Sequence, residues 1–358
     1  MEICSAKFTK LFLLSLIIHF SDVFNIGIWK ELDAVQVHPE LKTSHQNLKH
    51  LCQKSKAKNT VKSYESSFKQ FCKWCKCYDF EAVPTSDYTV ALYLSHSEPN
   101  IRSDSKLNSI LYGISYAHKQ SGFKDPCDSM LVKNVKEGIL RSVGKKHTAK
   151  LPLTKKDIDK IIKIFGKDDC LINKRFFDMS VTCFYGFLRF NEVVSLKRSD
   201  LDFSDNSIVV NLRRSKTDQY KKGDNVVIAK TEPEELCPVH CIKAYLTAAS
   251  IPGGSSDFLF RNVYMSKKSN SYQLRKGNHM SYTRAREIFL SKLEVMGYDS
   301  RKYGLHSFRS GGATAAAAAG VSERLIKKHG RWRSDICKDM YIHENESNRL
   351  SVSLKIAV

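Results

Sequence analysis

Helical periodicity fills residues 42 to 140 and then stops at a short basic stretch, so the chain must fold as a helical bundle joined to a second, differently built domain. The pattern is plain from Thr60 to Phe71, where Val61, Tyr64, Phe68 and Phe71 recur at helical spacing, and Pro84, Pro99 and Pro126 mark loops. Ser142 to Lys150 reads Ser-Val-Gly-Lys-Lys-His-Thr-Ala-Lys, which is small, basic and unpatterned. Such a stretch predicts an interdomain linker able to lie against a polyanion. A chain of 358 residues is long enough for two domains with cores of their own.

Beyond Leu153 the pattern becomes mixed. A helix is expected from about Thr154 to Asp157 onward, and a longer apolar one from Phe176 to Phe187. Ser207 to Leu212 and Asn225 to Ala229 are β-rich runs around a connection, Lys216 to Gly223, that predicts a hairpin. Helical segments follow at Pro238 to Ser250, Tyr282 to Met296, Ser307 to Ala319, Ser322 to His329 and Asp335 to Tyr341, with Gly320 as a C-cap. The last residues alternate, with Leu350, Val352, Leu354, Ile356 and Val358 apolar, which predicts a short strand or an extended docking arm. The fold class expected is mainly α with a small antiparallel β-sheet.

Charge bounds the partner. With 58 Lys and Arg against 37 Asp and Glu, the formal net charge is +21, and a basic surface of that kind concentrates nucleic acid by neutralising phosphates and releasing counterions. Lys54, Lys56, Lys58 and Lys62, with Lys145 and Lys146 in the linker, are candidate phosphate contacts, against the plainer reading of a solvated face. Eleven cysteines without a regular framework point to a reducing compartment. Cys72-Lys73-Trp74-Cys75-Lys76-Cys77 lies on an amphipathic helix with no second pair at a zinc-ribbon spacing, and Cys237-Pro238-Val239-His240-Cys241 opens a helix, so both are expected to pack rather than bind metal. Lys7 and Lys10 precede the apolar run Leu11 to Phe20, which is too short to span a bilayer and resembles a signal-peptide core. No clear cleavage pattern follows it, and secretion conflicts with the cysteine usage. A packing arm or a disordered start is the better expectation, and no membrane partner is expected.

The chemistry is carried by the last third of the chain. His306 and Arg309 stand three apart, so on a helix they share one face and can grip one ligand together. Arginine offers a phosphate a permanent charge and a planar donor fork, and an imidazole beside it can donate to the same oxyanion or handle a proton. Arg189 is a second, apolar-framed arginine far upstream. Trp332 follows, and nine residues after it comes Tyr341, a candidate nucleophile.

These spacings resemble the tyrosine recombinases, or phage integrases, over most of residues 55 to 345. Tyr185-Gly186-Phe187-Leu188-Arg189-Phe190-Asn191-Glu192-Val193 looks like the family's first arginine motif, which makes Arg189 a catalytic residue and Glu192 its acidic support. Leu212-Arg213-Arg214-Ser215-Lys216-Thr217-Asp218 matches the family's lysine hairpin, with Lys216 the carry-over choice and Lys221 and Lys222 on the same hairpin. His306 and Arg309 match the His-x-x-Arg, and Trp332 matches the family's second His or Trp. His329 is a rival for that place at the wrong spacing. The sequence departs from the pattern at Arg331, which stands directly before Trp332 where Gly is frequent, and at Asn191, where Ser is usual.

The resemblance implies a catalytic domain at 153–345 of mixed α/β type, following a helical core DNA-binding domain at 42–141. Residues 142–152 are then the basic linker, 346–358 a C-terminal tail and 1–41 a leader or arm. It implies double-stranded DNA as partner, a 3′-phosphotyrosyl intermediate on Tyr341, no metal or other cofactor, and a homotetramer assembled on two DNA sites. The Gly-Arg-Trp-Arg-Ser-Asp stretch is closer to recombinases of eukaryotic mobile elements, from which a nuclear location is expected. A type IB topoisomerase-like enzyme and a domesticated DNA-binding protein are the alternatives. The Gly-Phe-Leu-Arg motif and the helical N-terminal domain speak against the first, and the intact set of residues against the second.

Overall fold

The computed structural model of the protein describes residues 20–144, 149–166, 170–213, 223–344 and 346–356. Its contacts divide into two compact units, split after residue 147. The first is all helical: α1 (Ile28–Asp33), α2 (Lys42–Gln53), α3 (Lys58–Cys77), α4 (Asp87–Ser97), α5 (Asp104–Gln120) and α6 (Met130–Val143). Ser86, Ser103 and Ser129 each accept a backbone N–H from the first turn of the helix they open, which fixes where α4, α5 and α6 begin. Phe68 and Phe71 on α3 pack with Tyr93 on α4 and Ile110, Ile114 and Ala117 on α5. Gly113 lets α3 and α5 approach, since a Cβ there would lie 2.8 Å from Tyr64 O.

The leader contributes to this core. Phe20 stacks on Tyr116 at 5.2 Å and meets Phe68 edge-on at 5.7 Å, while Val23, Phe24 and Trp29 are buried. Trp29 Nε1 donates to Gln120 O at 2.6 Å, and Ile28 N to Ser121 O at 3.0 Å. Gly27, at φ 57°, is needed at that contact, because a Cβ would come within 2.0 Å of Ser121 O. The helical unit therefore starts well before residue 42, the boundary expected from periodicity. Most of the apolar run Leu11 to Phe20 lies outside the described residues. Cys72 and Cys75 face the core, and burial pushes each thiol up to about 12, as suits packed, protonated side chains.

The second unit is built around α8 (Leu171–Tyr185), which follows α7 (Lys155–Ile161) and leads through a turn to α9 (Phe190–Val194). A three-stranded antiparallel sheet comes next, in the order β1 (Leu201–Phe203), β2 (Ser207–Leu212), β3 (Asp224–Ala229). In β2 the buried positions alternate, so Ile208, Val210 and Leu212 face the core. After α10 (Pro238–Ala248), a separate hairpin forms from β4 (Arg261–Ser266) and β5 (Ser271–His279), most of it exposed. Then come α11 (Tyr282–Val295), α12 (Ser307–Ala318), α13 (Glu323–Gly330), α14 (Asp335–Asp339) and α15 (Glu346–Ile356). Gly311 and Gly312 let α12 lie directly on its neighbours, since Cβ atoms there would fall 1.9 Å from Leu153 O and 2.1 Å from Phe184 O.

Two expectations are corrected. The tail is a helix, not a strand: Leu350 and Leu354, four apart, share a helical face although the residue between them in the alternation does not, and both side chains are exposed. The β4–β5 hairpin was not expected at all. Among the described residues no helix is long and apolar enough to cross a membrane.

Asp178 is fully enclosed in α8, its Oδ1 has no hydrogen-bond partner, and burial alone raises its pKa well above the usual carboxylate range. A carboxyl whose folded pKa lies above its unfolded value costs stability progressively as pH rises from the unfolded value through the folded one. Asp178→Asn should therefore raise the melting temperature more at pH 8 than at pH 5. A variant that is less stable than wild type at pH 8 would contradict this.

Candidate active site

The site is assembled from three chain segments of the second unit. The first is the turn after α8, where Phe187 adopts φ 45° and Leu188 N donates to Cys183 O at 3.1 Å. This brings Arg189 to the N-cap of α9, and Glu192 reaches back: its Oε2 accepts Arg189 N at 2.8 Å and its Oε1 accepts Arg189 Nη1 at 2.7 Å. The acidic residue three places on thus caps the free N–H at the start of α9 and holds the arginine side chain at once.

The second segment is the start of α12. His306 caps the helix and is exposed, while Arg309 is wholly buried, with relative exposure 0%. Arg309 Nη1 donates to Phe187 O, and Nη2 donates to Gly330 O at 2.6 Å. Burial, and then the charges of Arg189 and Arg331, press the pKa of this guanidinium below its ordinary value.

The third segment runs from α13 to Tyr341. Trp332 lies over the Arg309 guanidinium at 4.4 Å and Tyr341 at 5.1 Å, with the two rings 5.3 Å apart. Gly330 is required beside Trp332, where a Cβ would sit 1.8 Å from the indole. Trp332 Nε1 is buried and has no hydrogen-bond partner, so in this arrangement the residue contributes its ring and not a donor. Tyr341 is fastened through its backbone: Ser310 Oγ donates to Tyr341 O at 2.6 Å and Thr314 Oγ1 to the same oxygen at 3.3 Å. The His306 and Tyr341 rings are 6.2 Å apart.

Arg189, Glu192, His306, Arg309, Trp332 and Tyr341, far apart in sequence, therefore converge. Lys216 lies outside the described residues, as do Lys145 and Lys146. Lys54, Lys56, Lys58 and Lys62 are exposed on the first unit, the first two between α2 and α3 and the other two in the opening turns of α3. His329 is set aside by its surroundings: its Nε2 bonds Tyr185 O at 2.8 Å, its ring packs on Phe187 at 4.6 Å, and burial lowers its pKa. Arg331 was missed as a site residue. It is 7% exposed, lies at φ 58°, and donates from Nη2 to Glu192 Oε2 at 2.8 Å. Burial would raise the pKa of Glu192, but Arg331, then the Arg189 N–H and guanidinium, outweigh it and hold the carboxyl below its usual range. The sequence signal was there, in an arginine where glycine is frequent, but nothing local said where its side chain goes.

The profile described as the Phage integrase family matches residues 152–348. The chain is similar to an integrase/recombinase, a XerD homolog of Selenomonas ruminantium, at 25% identity over 298 residues, covering 82% of this chain and 83% of that protein. Among solved structures it is similar to the XerH site-specific recombinase in a post-cleavage complex on palindromic difH substrate, with TM-score 0.62, 16% identity and 95% of each chain covered. It is also similar to a lambda integrase dimer bound to a COC′ core site, with TM-score 0.51, 16% identity, and 89% and 84% covered. At these identities the structural likenesses show the fold.

Arg309 and Arg189 should differ in what they do for the fold. Arg309→Ala leaves the Gly330 carbonyl without its donor at about 1 to 3 kcal/mol and leaves Phe187 O with Arg331 alone, whereas Arg189→Ala leaves Glu192 still paired with Arg331. Urea unfolding should show a clearly larger loss for Arg309→Ala. Equal or reversed losses would mean that Arg309 does not hold the three segments together.

Proposed function

Since this chain belongs to the phage integrase family, the tyrosine recombinases, we propose that it cleaves and rejoins double-stranded DNA through Tyr341. The observation that carries this reading is the Tyr341 ring lying at 5.1 Å from the Arg309 guanidinium, beside the linked pair Arg189 and Glu192. The phenol oxygen attacks the phosphorus of a phosphodiester in line. The bond from phosphorus to the 5′-oxygen breaks, leaving a 3′-phosphotyrosyl protein and a free 5′-hydroxyl strand. Arg189, Arg309 and His306 stabilise the charge that builds on the phosphoryl oxygens, and Lys216 protonates the leaving oxygen. A free tyrosine of pKa about 10 costs about 4 kcal/mol to ionise near neutral pH, so clustered arginines that favour the phenolate lower that cost. Rejoining is the same step reversed by a 5′-hydroxyl, one phosphodiester traded for another of similar energy, and it needs no nucleotide.

Arg309 is covered by the Trp332 and Tyr341 rings, so a phosphate reaches it once the tyrosine turns away. Ser310 and Thr314 of α12 hydrogen-bond to the backbone carbonyl of Tyr341, so a turn of the ring gives up its packing on Arg309, Trp332 and His306 and leaves those two bonds in place.

We infer further that the working assembly is a homotetramer on two DNA sites, with α15 docking on a neighbouring copy through the exposed Leu350 and Leu354. Deleting residues 346–358 should leave single-site DNA binding in place and suppress the pairing of two DNA duplexes, read by native gel. Unchanged pairing after the deletion would end that inference.

Tyr341→Phe removes one hydroxyl and keeps the ring that covers Arg309. It should abolish covalent attachment to DNA while leaving retention of DNA in a gel shift within about twofold, a surface-scale change. The substrate is a duplex pool of randomised sequence carrying 5′-bridging phosphorothiolate linkages, whose thiol leaving group needs no protonation. An adduct that survives denaturation with the Phe variant would remove Tyr341 as nucleophile.

A further inference from the structure

Arg331 sits in the left-handed region, where glycine is at home and an arginine is strained, yet its side chain is only 3% exposed and both its terminal nitrogens are engaged. Nη2 donates to Glu192 Oε2 at 2.8 Å and to Phe187 O at 3.2 Å. Nη1 donates to His329 O at 2.8 Å and Gly186 O at 3.3 Å. The guanidinium therefore touches the Arg189 turn in three places. It shares Phe187 O with Arg309 and shares Glu192 with Arg189.

We propose that Arg331 is a positioning residue for the phosphate clamp, one that offsets the Glu192 carboxylate so that Arg189 keeps charge for a DNA phosphate. This rests on the reading of Tyr341 and its neighbours as a DNA-cleaving site, and it adds a member that itself does not reach the substrate.

Charge counting makes the case. Arg189, Arg309 and Arg331 against Glu192 leave two positive charges in excess, enough to match a phosphodiester oxyanion and the negative charge gathering between it and the phenol oxygen. Without Arg331, Glu192 answers Arg189 alone and the excess falls to one. An acceptor at residue 192 cannot simply be dispensed with, because it takes the Arg189 backbone N–H that starts α9 and so fixes where the arginine projects, a bond that a glutamine amide oxygen can keep. A buried carboxylate shared by two guanidinium groups meets both needs: it aims Arg189 without neutralising it. Isolated buried charges are costly, so each member of the trio depends on the other two.

The experiment follows the rate of covalent adduct formation on the phosphorothiolate duplex pool, with DNA retention and melting temperature measured alongside. Arg331→Gly relieves the backbone while deleting the guanidinium, so any loss comes from the side chain. Adduct formation should slow by about tenfold to a hundredfold, the scale of a displaced catalytic group, with DNA retention kept. Adding Glu192→Gln to Arg331→Gly returns the excess to two, and the double variant should form adduct faster than Arg331→Gly alone. An unchanged rate in Arg331→Gly, or a double variant no faster than the single one, would overturn the proposal and leave Arg331 as a packing residue. Should Arg331→Gly fail to fold, Arg331→Lys and Arg331→Gln decide: lysine keeping most of the rate that glutamine loses is the expected result, and equal rates overturn it. Absence of any adduct with the wild-type protein would instead overturn the DNA-cleavage reading, and this inference with it.

Discussion

The catalytic unit is organised around a carbonyl. Phe187 O accepts from Arg309 on α12 and from Arg331 after α13, so the turn that follows α8 is tied at one atom to the two later segments of the site. Gly330 O, one residue before Arg331, takes the other Arg309 nitrogen and closes the loop. Guanidinium groups suit this work because their donors lie in a plane with fixed directions and cannot be lost by deprotonation near neutral pH. Beside that polar convergence, Phe187, Ala313, Ile326 and Trp332 form a small apolar cluster that also draws on all three segments.

Close packing makes the convergence reachable. Arg309 meets Phe187 O because Gly311 and Gly312 bring α12 against Leu153 and Phe184, with no room for a single carbon at either position. The same closeness places Ser310 and Thr314 under Tyr341. One short stretch of α12 therefore supplies a charge, the clearance that lets it be buried, and the hydroxyls that hold the Tyr341 backbone. Burial has an electrostatic consequence as well: arginines crowded in a dry site repel one another, and Glu192 is the carboxylate in contact with two of them.

Much of this was legible in sequence, and the limits are physical. Spacing and residue type single out Arg189, His306, Arg309, Trp332 and Tyr341, because a clamp and a nucleophile need those side chains. The strands flanking Lys216 were visible from their β-branched runs. The tail differs from the expectation because alternation and a helical repeat coincide at the four-residue step from Leu350 to Leu354, and because those exposed side chains impose no period from burial. The β4–β5 hairpin escaped because it is mostly exposed, so its residues, rich in Lys, Ser, Asn and Gln, carry no alternation to read. The packing of Phe20 to Trp29 depends on partners near residue 120, a pairing no local pattern announces. Arg331 is the sharpest case: its side chain answers a carboxylate 139 residues away.

Two non-glycine residues of the site, Phe187 at φ 45° and Arg331 at φ 58°, hold left-handed backbones that cost of order 1 to 3 kcal/mol each. Glycine would relieve both. At 187 it would delete the ring that packs on His329 and Trp332, and at 331 the guanidinium that meets Glu192. In each place the strained backbone also presents a group the site uses: the carbonyl of Phe187, and a side chain aimed inward from a helix end. The strain is thus localised where the three segments meet, and it persists because the hydrogen bonds on either side of it allow no other path for the chain. A site held this way is specific about geometry and intolerant of small losses, since the same few bonds that aim the arginines also keep these two residues in their unfavourable conformations.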